Sequence, residues 1–374
     1  MNSFPQIPSA ELKNIEYCDR GYFGVVKKGW WMNSKRMVLR VPYFSGSEGI
    51  PVALKTLKEE LALDTMAQGY FLKEVQKLHQ LNHPNLVRAF GVTQLSGKHY
   101  VVMDFQEGGS LYHHLVDLRH NKTDTERSSN VPNLLRILVD LARGMEYMEA
   151  QKHVHRDLRA MNALLTSTNL NTAAAKWGDL GMVRNLYCRA TYNIANPESI
   201  PWAWSAPEIL QACRTAEEKL KDHRMAGCRL DRNKLICVEE NGPVYLLSAP
   251  YSTKSDVWSF GVFMWEVITF GDKPHDFIDW GQLVNKVLAG ANLDIPPKNI
   301  FPQELTNLMQ DTWKLDPSHR PSFAEILPRL DMIHSSASGD AIVSMDQHDG
   351  TSTMVVSHCS SSQKMSVHYS EKFW

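Results

Sequence analysis

Between about residues 12 and 102 apolar and polar positions mostly alternate, which is the period of a half-buried strand. VALKTL (52–57), bounded by Gly49 and Pro51, reads as one strand, and KHYVVMDF (98–105) as another that GGS stops. RGYFGVV (20–26) predicts a tight turn between two strands. One stretch breaks the alternation. YFLKEVQKLHQL (70–81) places Phe71, Val75 and Leu78 on one helical face, with Leu81 at its edge and Glu74 beside the stripe.

Past Gly109 the period changes to that of helices. NLLRILVDLARGMEYM repeats apolar residues at i, i+3, i+4 and i+7, and Pro132 suits a helix start. KSDVWSFGVFMWEVITF is apolar nearly all round, so a buried helix is expected there. Residues 303–332 read as two short helices. Residues 211–250 are polar and mixed, with a short hairpin possible in LICVEENGPVYLL. Residues 334–374 are Ser-rich without core-forming periodicity and are expected to be disordered. The pattern predicts an α+β chain with a small, sheet-rich N-terminal part and a larger helical C-terminal part.

Composition narrows the partners. Of the 374 residues 43% are hydrophobic and 22% charged, and the net charge is −1. No broad positive field exists to attract nucleic acid or an anionic membrane, so neither is expected as a partner. No apolar run approaches the roughly 18 residues of a membrane span. MNSFPQIPSAELKN has no basic region followed by an apolar stretch, so no signal peptide is expected. The six cysteines are scattered and read as reduced thiols, which gives a cytoplasmic expectation.

Several short motifs carry chemistry. Gly21 and Gly24 would let a backbone approach phosphates, although Asp19 stands where a third glycine is usual. Lys55, in VALK, suits a strand lysine that holds α- and β-phosphates, and Glu74 on the helix could orient its ammonium. HRDLRAMN (155–162) is the most specific signal. It spaces Asp157 to accept a substrate hydroxyl proton and Asn162 to ligate Mg²⁺, a hard ion that prefers oxygen. Asp179 follows in WGDLGM, at a distance that fits a β-hairpin between the two metal ligands. SAPE (205–208), SDVWSFG (255–261) and DPSHRPSF (316–323) complete the order.

In these motifs the chain resembles protein kinases over about residues 12–332, and tyrosine kinases among them. Arg159 stands two residues past Asp157, as in the HRDLRAAN of Src-like kinases. IPWAWSAPE, RGYFGVVKKGWW and GDLGMVRNL are similar to the Ack family of non-receptor tyrosine kinases. The resemblance implies a two-lobed kinase fold: an extension at 1–11, an N-lobe at 12–104, a C-lobe at 105–333 interrupted by an insertion at 211–250, and the tail. It implies ATP and Mg²⁺ as cofactors and tyrosine-bearing proteins as substrates. Val26, Ala53 and Leu164 would sandwich the adenine, Met103 would be the gatekeeper, and the backbone of Asp104, Phe105 and Gln106 would bond its edge. Asp157 would be the catalytic base, with Arg159 beside it, Lys55 on the phosphates, and Asn162 and Asp179 on the metal. Glu208 and Arg320 would pair, and Asp256 would brace the catalytic loop. Tyr192 would be an activation-loop phosphosite met by Arg156, helped by Arg184 or Arg189.

Leu180 replaces the usual Phe of the metal-binding motif, and residues 211–250 lengthen the interval between Glu208 and Asp256 several-fold beyond that of related kinases. With Asp19, these departures support an alternative reading: a pseudokinase or scaffold that binds nucleotide without phosphotransfer.

Overall fold

A computed structural model of the chain describes residues 5–20, 24–32, 49–57, 79–179, 184–185, 201–223, 229–231, 234–236, 250–276, 278–339, 342–348 and 351–357. Five antiparallel strands form the N-terminal sheet: β1 (Leu12–Arg20), β2 (Gly24–Trp31), β3 (Ile50–Leu57), β4 (Ala89–Leu95) and β5 (Lys98–Asp104). Their order across the sheet is β1-β2-β3-β5-β4. The alternation in the sequence is what the sheet uses. Val52 and Leu54 of β3 point into a small core with Ile7, Leu12, Trp31, Phe90, Tyr100 and Val102, while Lys55 lies on the other face. The pairing Asp19↔Val26 and Arg20↔Val25 sets β1 against β2 across the glycine-bearing turn, whose own residues 21–23 fall outside the described set. So does the predicted helix around Glu74.

The segment read as an N-terminal extension joins this core. Pro5 and Ile7 exchange backbone hydrogen bonds with Val92 of β4, and Ile7 is buried. Gly91 permits the approach, since a Cβ there would lie 2.5 Å from the Pro5 carbonyl.

The C-terminal part begins with β6 (Gly109–Ser110), α1 (Leu111–Asn121), α2 (Asp124–Ser129) and α3 (Val131–Ala150). Pro132 sits in the first turn of α3, as expected. Then come β7 (His153–Val154), β8 (Ala163–Leu165), β9 (Ala175–Trp177) and β10 (Arg184–Asn185). β8 and β9 are antiparallel neighbours, so the hairpin expected between Asn162 and Asp179 is present. Helix α4 (Pro207–His223) precedes the short strands β11 (Arg229–Asp231) and β12 (Lys234–Ile236). Helices α5 (Thr253–Ile268), α6 (Trp280–Leu288), α7 (Gln303–Thr312) and α8 (Phe323–Ser338) follow, and the strands β13 (Ile342–His348) and β14 (Thr351–Ser357) come last. Helix α5 is buried from Ser255 to Ile268, which explains its all-round apolar sequence.

Two stretches differ from the sequence reading, and a third falls mostly outside the described residues. The segment from 211 opens as a continuation of α4, because QACRTAEEKLKDH is rich in strong helix formers. Within it Arg229–Asp231 pairs with Lys234–Ile236, and residues 237–247 of LICVEENGPVYLL, where the sequence allowed a hairpin, lie outside the described set. The tail, expected to be disordered, continues α8 to Ser338 and then pairs β13 with β14. Its register joins His348 to Thr351, so Asp349-Gly350, a strong two-residue turn signal, is the local cue that the Ser-rich composition masked.

Candidate active site

The catalytic-loop motif lies between β7 and β8 and is held from below by α5. Asp256, in the first turn of that helix, accepts the backbone N–H of His155 on Oδ2 at 2.6 Å and that of Arg156 on Oδ1 at 2.9 Å. A left-handed turn at Arg156 (φ 76°) presents both amides to one carboxylate. Burial pushes Asp256 up to about 7 against the two hydrogen bonds that favour its charge.

His155 joins this loop to the Asp179 segment. The amide of Asp157 can only donate, so Nδ1 of His155 accepts it at 3.3 Å, and Nε2 carries the proton and donates to the Gly178 carbonyl at 3.1 Å. Burial lowers this histidine to about 4, against the pull of Asp179, and keeps it neutral in that tautomer. From the other side the Gly178 amide donates to the Asn162 carbonyl at 2.8 Å. A Cβ at Gly178 would fall 2.7 Å from Cδ1 of Leu164, so any larger residue requires that side chain to shift.

Four charged groups, in two ion pairs, converge on this frame. Asp157 is 1% exposed and contacts Arg159 through Oδ1 to Nε at 3.0 Å and Oδ2 to Nη2 at 3.2 Å. Burial raises it to about 6; Arg159 opposes that rise and Asp179 adds to it. Lys55 reaches across from β3 to form an ion pair with Asp179. Burial disfavours the Asp179 charge, but the charge and hydrogen bond of Lys55 overcome it and hold the carboxyl below its ordinary value. Asp179 itself has φ 47°, in the left-handed region.

Asn162 donates its amide N–H to the Asp157 carbonyl at 2.8 Å, which leaves Oδ1 as its acceptor atom. One amide oxygen and one carboxylate suit Mg²⁺, which takes oxygen ligands and completes its shell from water and phosphate. The donor set therefore fits the ion.

The expected adenine residues lie on β2, β3 and β8 and on or just past β5. Val26 pairs with Lys55, and Ala53 pairs with Met103. Lys28 places its ammonium 4.6 Å from the Phe105 ring centroid. Asp104 donates its amide to the Arg88 carbonyl, and its side chain pairs with Lys176 at 2.5 Å. The Gln106 carbonyl accepts from Gly109 at 3.2 Å. Those two backbone groups are thus already engaged. Gly24 begins β2, and Gly21 lies outside the described residues.

Arg320, fully buried, forms two 2.8 Å hydrogen bonds to Glu208, one to each carboxylate oxygen. Arg156 lies over the Tyr251 ring at 4.5 Å. Its expected partner Tyr192, together with Arg189, Glu74 and Leu180, falls outside the described residues, and Arg184 is described only as part of β10.

A family model for protein tyrosine and serine/threonine kinases matches residues 12–219 and 229–330. The chain belongs to that family. It is 29% identical to the mouse proto-oncogene tyrosine-protein kinase ROS over 336 residues, which is 90% of this chain and 12% of that protein. Drosophila tyrosine-protein kinase Btk is 28% identical over 328 residues, 88% of this chain and 33% of its own length. Drosophila tyrosine-protein kinase Abl is 31% identical over 290 residues, 78% of this chain and 15% of its own length. The chain thus spans a third or less of these relatives and is similar to their tyrosine kinase domains. Among the described residues no helix is long and apolar enough to cross a membrane.

Two residues of this kinase domain went unremarked in the sequence. Trp177 is fully buried, donates to the Leu141 carbonyl at 3.0 Å, and meets His155 edge-on at 5.5 Å between ring centroids. Glu266 is 2% exposed in α5 and accepts from Ala160 and Trp204. A readable signal existed for Glu266: it is the one acid in the apolar run FGVFMWEVITF.

Proposed function

We propose that this kinase domain transfers the γ-phosphoryl group of ATP to tyrosine hydroxyls of proteins, as a non-receptor, Ack-like enzyme. The observation that carries the reading is the convergence of Lys55, Asp179, Asn162 and Asp157 on one frame built from His155, Gly178 and Asp256. In this reading Asp157 takes the hydroxyl proton, and Arg159 fixes the carboxylate that takes it. Lys55 lies on the nucleotide phosphates and Val26, Ala53, Met103 and Leu164 around the base. Mg²⁺, held by Asn162 and Asp179, would neutralise phosphate charge. The tyrosine preference rests on Arg159 and the IPWAWSAPE segment, and the Ack likeness on that segment with RGYFGVVKKGWW and GDLGMVRNL. Phosphorylation of Tyr192, met by Arg156, would order the loop that bears it. A cytoplasmic protein substrate fits this reading.

Phosphoamino-acid analysis after incubation with Mg·ATP and a mixed tyrosine- and serine-containing polymer tests it. Label on tyrosine is expected. Label on serine or threonine alone, or nucleotide binding with no label, contradicts it.

A further inference from the structure

One carboxylate oxygen ties the catalytic loop to the segment that precedes α4. Oε2 of Glu266 accepts the backbone N–H of Ala160 at 2.9 Å and the indole Nε1–H of Trp204 at 2.9 Å. Trp204 lies in the 3-10 turn Trp202–Trp204, directly before the SAPE motif. Its ring faces the Arg159 guanidinium at 5.6 Å, and Arg159 contacts both oxygens of Asp157. Asp157, Arg159, Trp204, Glu266 and Ala160 therefore form a closed circuit, and each link but the peptide chain from Asp157 to Ala160 is a direct side-chain contact.

Each of the two donors to Glu266, the Ala160 amide and the Trp204 indole, has one proton to place. With the acceptor removed, the buried Ala160 amide and the partly buried Trp204 indole lose their shared partner, and the turn keeps only its backbone tie to α5, the Ser259 hydroxyl donating to the Trp204 carbonyl at 2.8 Å. Burial also raises Glu266 to about 8, so its neutral form is favoured near neutrality. A neutral carboxyl, or an amide, still presents one oxygen to both donors. The nucleotide-facing groups, Lys55 and Asp179, lie outside the circuit.

We infer that Glu266 is a positioning residue for the phosphoacceptor, locking the Trp204 turn to the Asp157 loop so that a tyrosine side chain meets the base in a single orientation. The inference rests on the tyrosine-kinase reading for its substrate class. It separates Glu266 from ordinary core residues, whose loss would weaken nucleotide and peptide binding together.

Equilibrium binding of a fluorescently labelled tyrosine peptide and of Mg·ADP, measured with the purified chain, tests this directly. Glu266→Leu removes the acceptor of both donors and is expected to weaken peptide binding about tenfold or more, with Mg·ADP affinity within about twofold. Glu266→Gln should recover most of that loss, because its amide oxygen can accept both donors. Trp204→Phe keeps a ring beneath Arg159 and removes only the indole donor. It should weaken the peptide in the same direction, and adding it to Glu266→Leu should cost little more. Turnover with the same peptide is followed in parallel, where the loss should fall on peptide KM more than on ATP KM. The inference is overturned if Leu and Gln variants behave alike, if peptide and Mg·ADP affinities fall together, if Trp204→Phe has no effect, or if the wild type does not bind the peptide. A wild type that binds the peptide without phosphorylating it contradicts the proposed function alone.

Discussion

Lys55, on the third strand of the N-terminal sheet, and Asp179, just past β9, form an ion pair across the two parts of the fold. In the proposed function this contact joins the cation that would bind phosphate to the anion that would hold the metal. It also explains why Asp179 keeps its charge although it is largely enclosed.

Replacing Lys55 with Met should remove that support. Asp179 would move toward its neutral form, because burial would no longer be opposed by the ammonium. Phosphotransfer is expected to fall by about two orders of magnitude or more, the scale of losing a preorganised charge at a phosphoryl group. Steady-state kinetics of peptide phosphorylation check this, with melting temperature as the control for folding.

If Asp157 is the base, as proposed, its titration sets the acid limb of activity. A general base works only when deprotonated, and burial raises this one to about 6. The kcat/KM for ATP should therefore decline as pH falls through about 6. Arg159 lowers this value, so Arg159→Ala should shift the limb to higher pH. A limb that stays in place in the variant would contradict the assignment.

Asp256 uses both oxygens to hold backbone amides of the catalytic loop. Asn can offer only one oxygen and would turn an N–H toward a donor. Asp256→Asn is expected to cost about 1–3 kcal/mol of stability, the scale of one unsatisfied buried amide, and to reduce turnover as well. Urea unfolding followed by fluorescence measures the first effect.

Arg320 is buried with its charge matched by Glu208. Glu208→Gln leaves that guanidinium without its anion and should destabilise the helical part by about 3–5 kcal/mol. Arg320→Leu with Glu208→Gln should be less destabilised than the sum of the single changes, since neither charge is then left alone.

The fold was legible where periodicity is strong. The alternation of β3 and β5 and the apolar repeats of α3 and α5 carry their own secondary structure, because each matches a face or a whole surface that must be buried. The HRDLRAMN motif was equally readable, since its spacing alone places Asp157 and Asn162 on one loop. What the sequence concealed were relationships over long separations. That Lys55 meets Asp179, and that Trp204 and Ala160 share one oxygen of Glu266, depend on how β9 and α5 pack. The β13–β14 hairpin was concealed differently: its Asp-Gly turn signal is short, and serine-rich composition around it outweighed the cue. Residues 5–8 were hidden because a single parallel bridge to β4 leaves almost no local pattern.

The central claim is that Asp157 acts as the base for transfer to tyrosine. The most direct measurement compares the peptide-phosphorylation rate of the wild type with that of Asp157→Asn, with ATP affinity measured on both. The account predicts a loss of about 10²–10⁴-fold in kcat with ATP affinity nearly unchanged, the range expected for removal of a general base. Equal rates in the two proteins, or phosphotransfer by neither despite tight ATP binding, would contradict it.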